Sequence, residues 1–154
     1  MADVIVKKSH IEGKGVFAAR DFKKGEVVIE WKTSKPLKIE ETRNLPKSEK
    51  RYLSYIGNGR WVLQKPPARF VNHSCEANTY MENKKDIAKC NIKKGEETTS
   101  DYSLEGIAKW KFKCHCGSKY CRKIVYGDFS KLDAKTRKKL EPYLQDWYKK
   151  EHHK

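Results

Sequence analysis

Three cysteines stand close together late in the chain, in the stretch CHCGSKYCR (residues 114–122). Cys114, Cys116 and Cys121 form a Cys-x-Cys-x4-Cys pattern, and so dense a group of thiols is typical of a zinc site. A Gly-Ser pair between the last two cysteines supplies the turn that lets the three sulfur atoms approach one metal ion. A structural zinc ion takes four ligands, so the pattern predicts a fourth ligand elsewhere.

The fourth ligand has several candidates. Cys75 lies in the polar loop NHSCEAN, a typical setting for a metal ligand, whereas Cys90 lies in the apolar pattern IAKCNI, where we expect a small buried thiol. His73 and His115 are the other candidates. A histidine between two ligating cysteines usually points away from the metal. Local reasoning therefore ranks Cys75 first and leaves the two histidines open.

Two other stretches could carry chemistry. In RFVNHSCEAN (69–78), His73 is a candidate general base, but no nucleophile with an acidic partner is evident nearby, so a hydrolase triad is not indicated. GKGVF (13–17) could place backbone N–H groups against a cofactor, yet it lacks both the dinucleotide-binding continuation and the phosphate-loop lysine. Alone, neither stretch identifies a function.

The elements that must position these residues are mostly strands. DVIVKK (3–8) and EVVIEW (26–31) are β-branched runs separated by turns, and RWVLQ, NTYME, IAKCNI and EETTSDY are strand-like later in the chain. In between, KIEETRN and KSEKRYLSY predict one or two short helices. Apolar residues within 140–148 follow helical spacing. We expect a mainly β domain with a short helical insert and a C-terminal helix.

Taken in order, four stretches resemble the motifs of the SET-domain protein lysine methyltransferases. GKGVFAARDFKKGEVVIEW resembles the opening motif, RFVNHSCEAN the Asn-His-Ser-Cys motif, KKGEETTSDYS the Gly-Glu-Glu-Leu-Thr-x-Asp-Tyr motif, and CHCGSKYCR the cysteine-rich post-SET segment. The resemblance implies the SET-domain fold, a set of small curved β-sheets with a pseudoknot. It divides the chain into a SET domain (1–105), a post-SET zinc segment (106–129) and a C-terminal helical extension (130–154).

The resemblance also implies a function, a cofactor and a metal. Members of the family transfer a methyl group from S-adenosyl-L-methionine to a lysine side chain. In them the cysteine of the Asn-His-Ser-Cys loop joins the post-SET cysteines on one Zn²⁺ ion, which implies these ligands: Cys75, Cys114, Cys116 and Cys121. Tyr102 matches the active-site tyrosine. The implied cofactor contacts are Lys14, Gly15, Phe17, Arg69, Asn72, His73 and Tyr126.

Two residues of the implied lysine channel depart from the family pattern. Trp31 stands where the family commonly has tyrosine, which removes a hydroxyl group. Ser100 stands where it often has phenylalanine or tyrosine, which leaves room for further methyl groups on the lysine. The reaction is an in-line displacement, so the protein must align the reacting atoms and needs little acid or base apparatus.

The chain is strongly basic, with 35 Lys and Arg against 20 Asp and Glu and a formal net charge of +15. Residues 106–127 contain six basic residues and no acid. This basic face is consistent with a solvated surface or with non-specific contact to nucleic acid. Like-charge repulsion disfavours a lysine-rich tail unless acidic residues line the peptide groove or the target lies on nucleic acid. We expect a lysine-containing protein substrate that is a histone or another nucleic-acid-associated protein.

No stretch is apolar enough for a membrane span or a signal peptide, which predicts an intracellular protein with no membrane partner. We expect it in the nucleus of a eukaryote or the cytoplasm of a prokaryote. The alternative function is a non-catalytic SET-like module, stabilised by zinc, that binds nucleic acid or protein. Asn72, His73 and Tyr102 argue against this alternative because a docking module has no use for a cofactor pocket.

Overall fold

The computed structural model describes residues 2–152, and strands dominate it. Residue 1 of the predicted SET segment and residues 153 and 154 of the predicted extension lie outside the described residues. The strands are β1 (Val4–Lys8), β2 (Lys14–Ala18), β3 (Val27–Glu30), β4 (Leu53–Gly57), β5 (Arg60–Leu63), β6 (Asn72–His73), β7 (Thr79–Glu82), β8 (Lys85–Ala88), β9 (Glu97–Ser100), β10 (Ile107–Lys113) and β11 (Ile124–Asp128). The α-helices are α1 (Ile39–Thr42), α2 (Lys47–Lys50), α3 (Ala134–Leu140) and α4 (Asp146–His152).

The prediction of a mainly β fold with a short helical insert and a helical C-terminus is confirmed. Within the described chain, no helix has the length and apolar character needed to cross a membrane.

The strands form four small sheets. Strands β1, β2, β9 and β6 lie side by side in that order, and β3, β8 and β7 form a second sheet. Strands β4 and β5 form one hairpin, and β10 and β11 form another. Strand β6 pairs with β9 in parallel, so that Asn72 lies opposite Thr99 and His73 opposite Ser100. This pair places the Asn-His segment beside the strand that leads to Tyr102.

Two KKG turns join the first two sheets. Phe22 and Ile92 precede the turns and form a β-bridge through two backbone hydrogen bonds of 2.8 and 2.9 Å. The turn glycines, Gly25 and Gly95, both have φ of 91°, a region that side chains other than glycine rarely adopt. The repeated motif therefore marks two matching corners of the fold.

The apolar core has two main parts. The first lies between the two larger sheets and includes Val16, Phe22, Ile29 and Ile92. The second joins the C-terminal helices to the sheets and includes Met81, Leu104, Phe129, Leu140, Leu144 and Tyr148. Burial of a large apolar side chain contributes about 1.5–3 kcal/mol. The C-terminal segment is thus part of the folded core.

The C-terminal helix predicted within residues 140–148 is interrupted. Helix α3 ends at Leu140, a 3-10 turn covers Glu141–Tyr143, and α4 begins at Asp146. Pro142 explains the break, because proline has no backbone N–H and its ring clashes with the carbonyl four residues earlier. The apolar residues within 140–148 still pack into one core, although two short helices and the turn between them carry these residues.

One other local prediction is wrong, and a second is confirmed only in part. Cys90, expected to be a small buried thiol, is exposed. Strand β8 ends at Ala88, so the apolar pattern IAKCNI does not continue as one buried strand. The helix predicted for KSEKRYLSY is limited to α2, because its last residues belong to β4, where Leu53 pairs with Leu63 and Tyr55 with Trp61.

Gly106 offers a test of how the C-terminal helices pack on the sheets. Its φ is +88°, and an added Cβ atom would lie 2.5 Å from Cδ2 of Tyr148. Gly25 is a matched control, since its φ is +91° and nothing lies within 4 Å of an added Cβ. Each Gly→Ala change costs about 1–2 kcal/mol of backbone strain. Gly106→Ala should lower the free energy of unfolding by about 1–3 kcal/mol more than Gly25→Ala, because Tyr148 has to move. Urea unfolding measures both, and equal losses would contradict this packing.

Candidate functional site

A cleft of about 840 Å³ lies where several distant segments of the chain meet. Its walls come from the loop before β2, the start of β4, the 3-10 turn Ala68–Phe70 and strand β10. Aromatic side chains from three of these segments line it: Tyr52, Phe70 and Trp110. A cavity of this size, with aromatic walls and a few polar groups, is typical of a site for a cofactor-sized molecule.

The cleft gathers part of the site predicted from the sequence. The predicted residues that line it are Lys14, Trp31, Arg69, Asn72, Ser100 and Tyr102. The predicted cofactor contacts Gly15, Phe17, His73 and Tyr126 do not line it. Phe17 lies under the ammonium group of Lys7, 4.3 Å from the ring centre, and Tyr126 lies half-buried on β11.

Asn72 holds the loop before β2 in place. Its side-chain Nδ2 donates to the backbone oxygens of Glu12 at 3.0 Å and Lys14 at 2.9 Å, and to Oε1 of Glu97 at 3.0 Å. Gly15 admits the Glu97 carboxylate, because a Cβ atom at this position would collide with that same Oε1. The buried amide therefore shapes one wall of the cleft, and loss of its hydrogen bonds would leave backbone groups unpaired.

Arg69 fixes another part of the cleft wall. Its Nη2 donates to Oε2 of Glu49 at 2.7 Å, and its Nε donates to the backbone oxygen of Gln64 at 3.0 Å. The guanidinium lies over the ring of Tyr52, 4.1 Å from the ring centre. These contacts tie the helical insert to the 3-10 turn that carries Arg69.

Tyr102 lies at the crossing of the two motif segments. Its hydroxyl donates to the backbone oxygen of Val71, and its backbone N–H donates to Nδ1 of His73 at 3.0 Å. Its ring makes edge contacts with His73, Trp110 and Phe112 at centroid distances of 5.4, 6.1 and 6.0 Å. Burial raises the pKa of the Tyr102 hydroxyl above its usual value. The hydroxyl therefore stays protonated and acts as a fixed hydrogen-bond donor.

Asp101, the neighbour of this tyrosine, is paired with Arg122 from the cysteine-rich segment. Two hydrogen bonds of 2.8 Å join the guanidinium to the two carboxylate oxygens, and a third of 3.1 Å reaches Oγ of Ser103. The Asp101 side chain is only 2% exposed. Arg122 was expected as part of a basic face, but this charge is neutralised inside the protein.

The four predicted metal ligands converge. The sulfur atoms of Cys75, Cys114, Cys116 and Cys121 all lie within 4.8 Å of one another, with Cys75 and Cys114 separated by 3.9 Å. Four thiolates about 2.3 Å from a tetrahedral zinc ion are about 3.8 Å apart, so the donor set fits zinc. Burial raises the pKa of Cys75 to about 11 and also raises that of Cys114, so a cation is needed to hold them as thiolates at neutral pH.

The two histidine candidates do not belong to this group of ligands. Burial lowers the pKa of His73 to about 4, so its ring is neutral. Because Nδ1 accepts from the Tyr102 N–H, the proton sits on Nε2, which lies 3.4 Å from the sulfur of Cys75. His73 thus bridges the cysteine cluster and the tyrosine.

Two acidic residues of the cleft were missed from the sequence. Asp86 and Glu105 both line it, and burial raises the pKa of each to about 7. Trp31 donates from Nε1 to Oδ2 of Asp86 at 3.1 Å. Asp86 follows Lys85 in β8, and Glu105 ends the 3-10 turn after Tyr102, so neither acid stands out in the sequence.

Comparison with known proteins identifies the family. A family model for the SET domain matches residues 13–103. The chain belongs to the SET domain family. Its cleft residues Lys14, Trp31, Arg69, Ser100 and Tyr102 lie inside the matched region, whereas three of the four cysteines lie beyond it.

Relatives and solved structures agree with this assignment to the SET family. The SET chain is 35% identical over 140 residues to the Drosophila virilis protein named histone-lysine N-methyltransferase trithorax, covering 78% of this chain and 4% of the relative. It is 34% identical over 141 residues to human histone-lysine N-methyltransferase 2D, covering 79% and 2%. The structure of KRYPTONITE in complex with mCHG DNA and SAH matches the fold with a TM-score of 0.60 and 23% identity, covering 80% of this chain and 29% of that chain. The chain thus spans a small fraction of these relatives.

Metal analysis tests the cysteine cluster of this SET protein. We expect one zinc ion per chain in the purified protein, and a loss of most of the zinc in Cys75→Ser, because a structural site is closed by four ligands and this change removes one of them. Cys90→Ser is the matched control and should keep its zinc, since Cys90 is exposed and outside the cluster. Elemental analysis of both variants measures this. Full zinc occupancy in Cys75→Ser would rule out Cys75 as a ligand.

Proposed function

We propose that this protein transfers a methyl group from S-adenosyl-L-methionine to lysine side chains of a protein substrate. The observation that carries the proposal is the meeting of Asn72, Ser100, Tyr102 and Trp31 at one cleft. These residues come from three motifs that are far apart in the chain, and the relatives of the chain are named histone-lysine N-methyltransferases.

The cleft fits the proposed cofactor. Its volume of about 840 Å³ suits a nucleoside-sized molecule with room for a side chain beside it. Phe70 and Trp110 offer rings for an adenine base, and the polypeptide of residues 12–14 offers backbone groups. When bound, the cofactor supplies a methyl group on a positively charged sulfur. We propose that Lys14, Arg69 and Asn72 form the cofactor side of the cleft, and that Gly15, Phe17, His73 and Tyr126 support it from behind.

The remaining residues would align the lysine. Tyr102 presents a protonated hydroxyl that is already oriented by the Val71 carbonyl, so it can polarise or position the amine but cannot remove its proton. Ser100 is buried, and its small side chain leaves space beside the lysine nitrogen. We therefore propose Tyr102 as the catalytic residue and Trp31 and Ser100 as walls of the lysine channel.

Zinc would have a structural role. A closed tetrathiolate site has no open position for water, so it contributes to folding and not to the chemical step. Strand β10, which runs directly into Cys114, supplies Ile107, Trp110 and Phe112 to the cleft. We propose that residues 106–129 form a zinc-stabilised post-SET segment that closes this wall, between the SET domain (1–105) and the helical extension (130–154).

The proposed substrate is a histone or another nucleic-acid-associated protein. The names of the relatives support a histone, and the net charge of +15 favours a lysine whose surroundings carry negative charge. The lysines of the basic face at positions 109, 111, 113, 119 and 123 are exposed and could contact nucleic acid without sequence preference. We propose a nuclear, chromatin-associated location in a eukaryote and a cytoplasmic one in a prokaryote.

Methyl transfer tests the proposal. The purified protein is incubated with methyl-tritiated S-adenosylmethionine and either free core histones, nucleosomes or total cell protein, and mass spectrometry locates the methylated lysines. Tyr102→Phe should bind the cofactor normally but transfer methyl groups about 10²-fold more slowly, because a positioning hydroxyl is lost. Tyr120→Phe is the control, since Tyr120 is 58% exposed and outside the cleft. Absence of label in every protein, together with absence of cofactor binding, would favour the non-catalytic module.

A further inference from the structure

Asp86 is an unusual residue for the middle of a sheet. It lies on β8, the central strand of the second sheet, opposite Ile29 on β3 and Met81 on β7. Both neighbours are apolar and buried, and Asp86 itself is only 3% exposed. Burial of a carboxylate in such surroundings is costly unless hydrogen bonds or a positive charge compensate for it. The fold alone gives no reason for an acid at this position.

The hydrogen bonds of Asp86 are incomplete. Trp31 donates from Nε1 to Oδ2 at 3.1 Å. Among residues 2–152, no other group donates to this carboxylate, and none of their cations lies within 4.0 Å of it. Asp86 lines the cleft, and its second oxygen, Oδ1, has no hydrogen-bond donor among residues 2–152. The carboxylate thus has one fixed partner and one open acceptor.

Three of the cations that line the cleft have other partners. Arg69 pairs with Glu49 at 2.7 Å. Lys14 lies over the ring of Phe70 at 5.3 Å from its centre, and Arg51 over that of Tyr52 at 5.2 Å. Within residues 2–152, none of these three cations forms an ion pair with Asp86.

The other charged groups around Asp86 do not neutralise it. On the neighbouring strands, Lys85 pairs with Glu30 at 3.8 Å at the exposed end of the sheet, and Glu82 accepts from the backbone N–H of Asp146 at 3.1 Å. From the 3-10 turn Tyr102–Glu105, the hydroxyl of Tyr102 and the carboxyl of Glu105 face the same cleft. Two carboxyl groups and one neutral hydroxyl are the groups that an entering side chain would meet.

We infer that Asp86 accepts the ammonium group of the target lysine and removes one of its protons. This inference rests on the proposed function. In this step an N–H bond of the ammonium breaks, the proton binds to Oδ1 of Asp86, and the electron pair remains on the lysine nitrogen, ready for methyl transfer. The carboxylic acid then loses the proton to water through the open cleft. The lysine is neutralised and the carboxylate is restored.

The properties of Asp86 suit this role. Its pKa, raised by burial to about 7, makes it a far stronger base than an ordinary carboxylate at neutral pH. The hydrogen bond from the Trp31 indole holds the charged form of the Asp86 carboxylate in place. Tryptophan at this position, where the family commonly has tyrosine, thus serves to orient the acid. Trp31 is a positioning residue in this scheme. The hydroxyl group that a tyrosine would supply at position 31 is absent, and the buried carboxylate of Asp86 is available as a base.

An NMR titration of the Trp31 indole N–H tests the inference without any methyl transfer. This group touches the Asp86 carboxylate, so its chemical shift should change with a midpoint near pH 7. The probe is n-butylammonium chloride, which has the shape and charge of a lysine side chain. At saturation it should lower the midpoint by about 1 unit, because a nearby cation favours the charged carboxylate. Sodium chloride at equal ionic strength and neutral 1-butanol are the controls and should leave the midpoint unchanged.

Two variants assign the effect to a residue. In Asp86→Asn the titration near pH 7 and the butylammonium response should both vanish, whereas Glu105→Gln should retain both. A response that survives in Asp86→Asn and vanishes in Glu105→Gln would overturn the inference and make Glu105 the acceptor. A wild-type midpoint that butylammonium does not move would also overturn it, whether or not the variants fold. Because the titration needs no cofactor, a failure of methyl transfer would contradict the proposed function separately.

Discussion

The ion pair between Arg122 and Asp101 is the contact on which the arrangement of the cleft depends. It joins the cysteine-rich segment to the residue before Tyr102 through two hydrogen bonds of 2.8 Å. Asp101 also accepts from the backbone N–H of Ser103 at 3.0 Å, which fixes the 3-10 turn after the tyrosine. Removal of either partner would leave a buried charge alone, at a cost of about 3–5 kcal/mol. The Asp101 carboxylate thus sets both the direction of Tyr102 and the position of the cysteine-rich segment that covers this tyrosine.

The cysteine cluster constrains the same region from the other side. The backbone N–H of Arg122 points at the sulfur of Cys75 at 3.4 Å, so the loop cysteine and the ion pair hold adjacent atoms. His73 links the two, because its ring contacts both Cys75 and the Tyr102 backbone. These contacts set the position of strand β10, since the strand ends directly before Cys114, which belongs to the cysteine cluster. The wall of the cleft is therefore a consequence of the cysteine cluster and the buried ion pair together.

The sequence predicted features that depend on residues close together in the chain. It was less informative about features that depend on contacts between distant residues. The Cys-x-Cys-x4-Cys spacing predicted the sulfur cluster, because close spacing restricts the backbone directly, whereas the positions of Tyr102 and Asn72 were implied by the resemblance to the SET-domain family. Pro142 broke a helix whose apolar spacing looked continuous, and Cys90 became exposed because a strand ended early. Asp86 could not be recognised, since its burial depends on β3 and β7, which pair with β8 only in the fold.

Cofactor binding without metal tests whether the cysteine-rich segment forms one wall of the proposed cofactor cleft. The protein is titrated calorimetrically with S-adenosylhomocysteine before and after a chelator has removed its zinc, with metal content measured in both samples. The account predicts that affinity falls at least about tenfold after zinc removal, because β10 loses its anchor while the sheets remain folded. Unchanged affinity in fully metal-free protein would contradict it.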